Sequence, residues 1–131
     1  MDKASVQEWL DRYVDAWKSY DPEAIGDLFA KNARYFPGPF DEPYEGREAI
    51  VTAWVENPDK PGTYDGRYEP VAVEGNTAVT CGRTTYFEEN GTEISSVWSN
   101  VFLLKFDRYG RCSEYREWYM QGPVGGGTGG Q

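Results

Sequence analysis

Histidine is missing altogether from the 131 residues. Without an imidazole there is no Ser-His-Asp or Cys-His pair, and a zinc site loses its main nitrogen ligand. Acid–base work then falls to carboxylates, tyrosine, lysine or cysteine, and neither a metal nor a cofactor is expected. Cysteine is scarce as well. Cys81 and Cys112 alone read as two reduced thiols rather than a disulfide framework. Basic residues are in the minority: 13 Lys and Arg stand against 22 Asp and Glu, a net charge of −9. There is no basic stripe to displace counterions from phosphates, so nucleic acid is excluded as a partner, and the same balance disfavours an anionic membrane surface. No apolar run approaches the roughly 18 residues a membrane helix requires. The opening Met1-Asp2-Lys3-Ala4 lacks a charged-then-apolar leader pattern, and a cytoplasmic protein is the expectation.

Large rings are what the chain has in excess. Aromatics make up 16% of it, with five Trp and ten Tyr. Tyr and Trp join an apolar body to a polar tip, so they suit the wall of a half-wet pocket as well as a core. The length fits one domain, and a domain of this size buries about two-thirds of its unfolded surface without a disulfide or metal staple.

Hydrophobic periodicity divides the chain in two. Val6, Trp9, Leu10, Tyr13, Val14 and Trp17 recur at helical spacing and predict a first helix over residues 5–19. Asp21-Pro22 reads as cap and first residue of a second helix, continuing through Leu28 and Phe29 to Asn32. Residues 33–36 are short and extended, and Pro37-Gly38-Pro39 is a rigid loop. Asp41, Glu42 and Glu45 form a solvated acidic loop. A third helix opens at Gly46-Arg47-Glu48, with Arg47 on its surface, and runs to about Val55. From Tyr64 onward the period becomes two. Strands are predicted over 64–73, 77–87, 92–106 and 111–120, joined by Gly-containing turns. The tail from Gly122 to Gln131 is mostly glycine and reads as disordered, leaving one domain over 1–121. Helices followed by an antiparallel meander argue an α+β fold, three N-terminal helices packed on a curved sheet.

Trp9-Leu10-Asp11-Arg12-Tyr13-Val14-Asp15-Ala16-Trp17, then Asp21-Pro22, Leu28-Phe29-Ala30 and Gly46-Arg47-Glu48-Ala49-Ile50, resemble the nuclear transport factor 2-like superfamily, more narrowly its SnoaL-like branch. So do Asn100 to Asp107, Gly110-Arg111 and Tyr115-Arg116-Glu117-Trp118-Tyr119. The resemblance covers about residues 5–120 and implies a cone-shaped fold enclosing a pocket. It does not fix an activity, because the superfamily spans ketosteroid isomerase, limonene epoxide hydrolase, scytalone dehydratase, polyketide cyclases and ligand binders.

Carried over residue by residue, the resemblance is uneven. The oxyanion-hole tyrosine of ketosteroid isomerase falls on Tyr13, but its base falls near Pro37 and its second donor near Phe102. The Trp-Arg-Asp acid of limonene epoxide hydrolase falls on Glu117, and its Arg-x-Asp on Arg83-Thr84-Thr85, so Arg83 is kept and the second acid becomes Thr85. Its water-holding Tyr-x-Asn falls on Tyr35-Phe36-Pro37, keeping only the tyrosine. The histidines of scytalone dehydratase have no counterpart.

Strand alternation then predicts an inward set. Glu117 facing inward brings Tyr115 and Tyr119 with it. The matched sets are Trp98, Asn100, Phe102 and Leu104 on the preceding strand, and Cys81, Arg83 and Thr85 before that. Trp17 and Trp54 join from the helices. Catalytic roles would fall to Glu117, Arg83 and Tyr13, with Glu117 and Arg83 within salt-bridge reach; a purely structural ion pair is the alternative. The expected occupant is a small hydrophobic molecule, either the substrate of a cofactor-independent lyase, isomerase or hydrolase or the ligand of a non-catalytic binding or dimerisation domain. Val97, Val101, Leu103, Cys112 and Trp118 would form an apolar outer face, and a homodimer through it is expected.

Overall fold

The first helix, α1 (Lys3–Ser19), begins in a capping box. Asp2 Oδ1 accepts from the Ser5 N–H at 2.9 Å, and the Asp2 N–H donates back to Ser5 Oγ at 3.1 Å. Its apolar stripe of Val6, Trp9, Leu10, Tyr13 and Ala16 is buried. The helix closes on Tyr20, which sits in the left-handed region at φ 50° and donates its N–H to the Ala16 carbonyl. Tyr20 is the one non-glycine residue with positive φ among those the computed structural model describes, residues 1–124. The expectation for the glycine tail from 125 onward lies outside the described residues.

The second helix, α2 (Pro22–Gly26), is one short turn, far briefer than the apolar pattern predicts. Leu28 and Phe29 leave it because their carbonyls are taken by tertiary partners. The Leu28 oxygen accepts from Trp9 Nε1 at 3.0 Å and from the Cys112 N–H at 2.8 Å. The Phe29 oxygen accepts from Arg47 Nε and Nη2 at 3.0 and 2.9 Å. Arg47 is therefore a clamp on the backbone rather than a helix-surface residue. The chain runs on as β1 (Phe29–Phe36), a two-residue β2 (Tyr44–Glu45), and α3 (Arg47–Glu56). Gly46, at φ 92°, makes the entry to α3 in a conformation that a side chain would strain.

Four long strands complete the chain: β3 (Tyr64–Glu74), β4 (Thr77–Phe87), β5 (Ile94–Phe106) and β6 (Cys112–Gln121). The sheet order is β2-β1-β6-β5-β4-β3, with β1 and β6 parallel and every other pair antiparallel. This is the α+β architecture expected, a curved, unclosed sheet with the helices on one face. The core gathers where α1 crosses it. Trp9 stacks on Tyr13 at 5.5 Å and meets the Phe29 and Phe106 rings edge-on at 6.0 and 5.7 Å.

Two facing assignments are corrected by the pairing. Gly82 lies opposite Asn100, Thr84 opposite Trp98 and Thr80 opposite Phe102. Directly paired residues share a face, so Ala78, Thr80, Gly82 and Thr84 point inward, while Cys81, Arg83 and Thr85 belong to the outer face. On β6 the register slips between Lys105 and Phe106, pairing Lys105 with Glu114 but Phe106 with Cys112. Ser113 is the extra residue of a bulge, and Cys112 is consequently turned into the core and fully buried rather than placed on the outer face. Both thiols are free, and burial pushes that of Cys112 well up. Among the remaining residues of the expected apolar outer face, Val101 and Trp118 are exposed.

Candidate functional site

The α1 helix covers only part of the inner face. Toward the ends of the strands that carry Thr84, Asn100 and Glu117, the sheet extends past the helix and leaves a cavity of about 770 Å³. Of the residues expected there, Tyr13, Trp17, Tyr35, Trp54, Trp98, Asn100, Glu117 and Tyr119 line it. Phe102 and Tyr115 do not. Both are fully buried and form the layer behind the wall, their rings 5.3 Å apart. Arg83 is exposed, and Thr85 sits with it on the outer face. The expected Arg83–Glu117 ion pair is therefore absent; no cation lies within salt-bridge distance of Glu117 among the described residues. The error is one residue of register on β4, whose outward Val79 and Cys81 carry as much apolar character as its inward Ala78 and Thr80.

Neutral donors surround Glu117 instead. Oε1 accepts from the Tyr115 hydroxyl at 2.7 Å. Because that hydroxyl is committed as donor, the Tyr13 hydroxyl 3.1 Å away donates to it. Oε2 accepts from Asn100 Nδ2 at 2.8 Å. The Asn100 carbonyl accepts from Thr84 Oγ1 at 2.8 Å, and Thr84 in turn accepts from the Tyr68 hydroxyl at 2.6 Å. Two chains of donors thus end on one carboxylate, and each oxygen keeps lone-pair capacity for a ligand. Desolvation raises the Glu117 pKa, opposed by the Tyr115 and Asn100 hydrogen bonds. Desolvation likewise pushes Tyr13, Tyr35, Tyr68 and Tyr115 up, so these hydroxyls stay protonated and available as donors.

Local sequence explains the geometry. Tyr68 lies across two glycines. A Cβ on Gly82 would fall 2.6 Å from its Cδ1, and one on Gly66 would fall 2.7 Å from its Cε2. That bare strip lets the ring lie flat and reach Thr84. Tyr35 stacks on Tyr115 with centroids 4.1 Å apart and planes only 3° from parallel. The parallel pairing of β1 with β6 sets Tyr35 directly beside Tyr115. Tyr68 and Thr84 are site residues that the sequence reading misses; Gly82 with Thr80 and Thr84 two positions to either side is the available signal.

Comparison with known proteins now decides the family. The model of the SnoaL-like domain matches residues 10–115. The chain belongs to the SnoaL-like domain family. Among solved structures, a candidate ketosteroid isomerase from Kribbella flavida superposes with a TM-score of 0.69 at 18% identity, covering 93% of this chain and 82% of that one. An NTF-2 like protein of unknown function from Burkholderia xenovorans gives 0.66 at 18% identity, with 95% and 89% covered. These likenesses concern the fold. No curated protein matches the sequence. In this SnoaL-like domain, Pro37, near which the resemblance puts the isomerase base, lines the cavity but cannot accept a proton, and Phe102, near which it puts the second donor, is buried in the core. Of Glu117 and Thr85, where the resemblance puts the two hydrolase acids, Glu117 alone lines the cavity.

No group of three or more His, Cys, Asp or Glu side chains gathers into a metal-binding arrangement among the described residues, and no described helix is long and apolar enough to cross a membrane.

Proposed function

We propose that this SnoaL-like domain binds a small hydrophobic molecule and moves a proton on it, as an isomerase-type enzyme with Glu117 as the shuttling base. The observation that carries the reading is a desolvated carboxylate facing an aromatic cavity, with a raised pKa and only neutral donors around it. A base whose pKa is lifted toward working pH accepts a proton from carbon more readily and returns it more readily. In the proposed step the carboxylate takes the proton α to a carbonyl, the electron pair shifts to an enolate, and the Glu117 acid, which exchanges its proton with water in the open cavity, protonates the γ carbon. Nothing is gained or lost overall. Tyr35 lines the cavity, burial keeps its hydroxyl protonated, and that proton is free for the enolate oxygen, the role that the ketosteroid isomerase resemblance assigned to Tyr13. Arg83 has no part in this proposal.

Cyclohexenone and a bicyclic β,γ-unsaturated ketone are suitable probes. Incubation with the protein in D2O, followed by NMR, should show deuterium entering the α and γ carbons. Glu117→Gln should slow exchange by ~10²-fold or more. Exchange no faster than in buffer, or unchanged by the substitution, refutes the enzymatic reading. Binding of the ketones without exchange would favour a ligand-binding domain.

A further inference from the structure

Glu117 occupies one end of the cavity. A second carboxylate, Asp59, also lines it, from the loop after α3. Its surroundings are built rather than incidental. Asp59 Oδ2 accepts from Trp17 Nε1 at 3.0 Å and from the Tyr20 hydroxyl at 3.4 Å, and the Asp59 N–H donates to the Tyr20 oxygen at 2.9 Å. Trp17 Nε1 also reaches that oxygen at 3.1 Å. This three-residue knot holds the loop against the end of α1, at the residue whose left-handed backbone is the exception of the fold. Asp59 Oδ1 has no protein donor among the described residues.

The wall around this carboxylate is aromatic. Trp17, Tyr20 and Tyr86 line the cavity here, with Tyr64 stacked behind Trp17 at 4.3 Å. Burial, and then the charges of Asp59 and Glu117, push the Tyr86 hydroxyl up to about 12. Among the described residues no lysine or arginine lines the cavity. The two nearest lysines in sequence are engaged elsewhere: Lys18 with Asp65 at 3.0 Å and Lys60 with Glu89 at 2.9 Å. The cavity therefore offers two carboxylates, many ring faces and no counter-charge. A carboxylate-bearing or phosphate-bearing ligand would meet two like charges and no cation, whereas an ammonium group beside Asp59 would gain an ion pair and the negative faces of the rings.

We propose that the ligand of this cavity is a hydrophobic amine, its ammonium group seated on Asp59 among Trp17, Tyr20 and Tyr86 and its apolar body extending toward Glu117. This rests on the reading of the cavity as a small-molecule site and adds the class of molecule. It leaves Glu117 free to act on the far end of the same ligand.

Three probes of matched shape test it: phenylbutylamine, phenylbutanol and phenylbutyrate, titrated by calorimetry and by tryptophan fluorescence at neutral pH. The amine should bind about tenfold or more tightly than the alcohol, and the acid most weakly. Asp59→Asn keeps the acceptor for Trp17 and Tyr20 but removes the charge, and should bring the amine to the alcohol's affinity while leaving the alcohol unchanged. Glu117→Gln should leave the preference intact. Thermal melts of both variants establish that each is folded. Equal binding of amine and alcohol overturns the proposal, as does failure of all three probes to bind or a preference that survives Asp59→Asn. A preference abolished by Glu117→Gln instead overturns it too, by putting the ammonium on the wrong carboxylate. Because these titrations need no turnover, amine preference without proton exchange would sink the catalytic reading alone. Exchange without amine preference would sink this one alone.

Discussion

The two halves of the inner sheet face are built from the same residue types and put them to opposite use. Where α1 crosses the sheet, its Trp9 meets the Phe29 and Phe106 rings edge-on and Phe102 packs against Tyr13, all of them buried. Around the cavity, Trp17, Trp54, Trp98, Tyr86 and Tyr119 border open space. Polar groups divide the same way. In the packed half they are few, and Thr80 Oγ1 is buried without a hydrogen-bond partner. In the open half Thr84, Asn100, Tyr68 and Glu117 form one connected network. Aromatic content alone therefore says little about function; what distinguishes a wall from a core is whether the polar tips are organised toward a common point.

The sharpest test of that division compares the same substitution in both halves. Trp9→Ala should cost about 3–5 kcal/mol in chemical denaturation, the usual loss for a fully packed large ring. Trp98→Ala, whose indole N–H only reaches Ser96 Oγ and whose ring faces the cavity, should cost less than about 2 kcal/mol. Comparable losses would mean that the open half is structural core. A smaller effect is expected from Thr80→Val. The hydroxyl has no partner, so removing it at constant shape should stabilise the protein by about 1 kcal/mol. Destabilisation there would reveal a partner for the hydroxyl.

The smallest effect lies in the pH dependence of stability. The folded state raises the pKa of Glu117 above its ordinary 4.5, through desolvation. Folded protein then binds more protons than unfolded protein just above pH 4.5, so stability contributed by this group falls as pH rises through that window and is flat beyond the folded pKa. Denaturation midpoints of wild type and Glu117→Gln, followed upward from pH 4, should diverge in that direction: the wild type declines relative to the variant. An opposite slope would mean that the carboxylate is held charged by a partner.

The sequence was most legible where alternation is clean. On β5 and β6, Trp98, Asn100, Phe102, Tyr115, Glu117 and Tyr119 fall on the expected face, since the Asn100–Tyr119, Phe102–Glu117 and Leu104–Tyr115 pairs hold one register along both strands. It misled where the apolar signal is weak or where a partner overrides local preference. On β4 the inward residues are Ala78, Thr80, Gly82 and Thr84, too small to stand out, and Arg83 drew the register to itself. Leu28 and Phe29 fit a helix until Trp9, Arg47 and Cys112 claim their carbonyls. The bulge at Ser113 leaves no local mark, since the slip exists only between two strands. Asp59 could not be recognised at all, because its partners Trp17 and Tyr20 lie about forty residues away in sequence.

The donor chains on Glu117 also fix where a proton can travel. An amide nitrogen has no lone pair to offer, so the Asn100 branch cannot carry a proton away from Oε2. The Tyr115 branch could do so only if the Tyr115 and Tyr13 hydroxyls both swung round together, and Tyr13 has already donated inward. The interior thus behaves as an insulator on both sides of the carboxylate. A proton picked up by Glu117 has one conducting route out, which is back into the cavity from which it came.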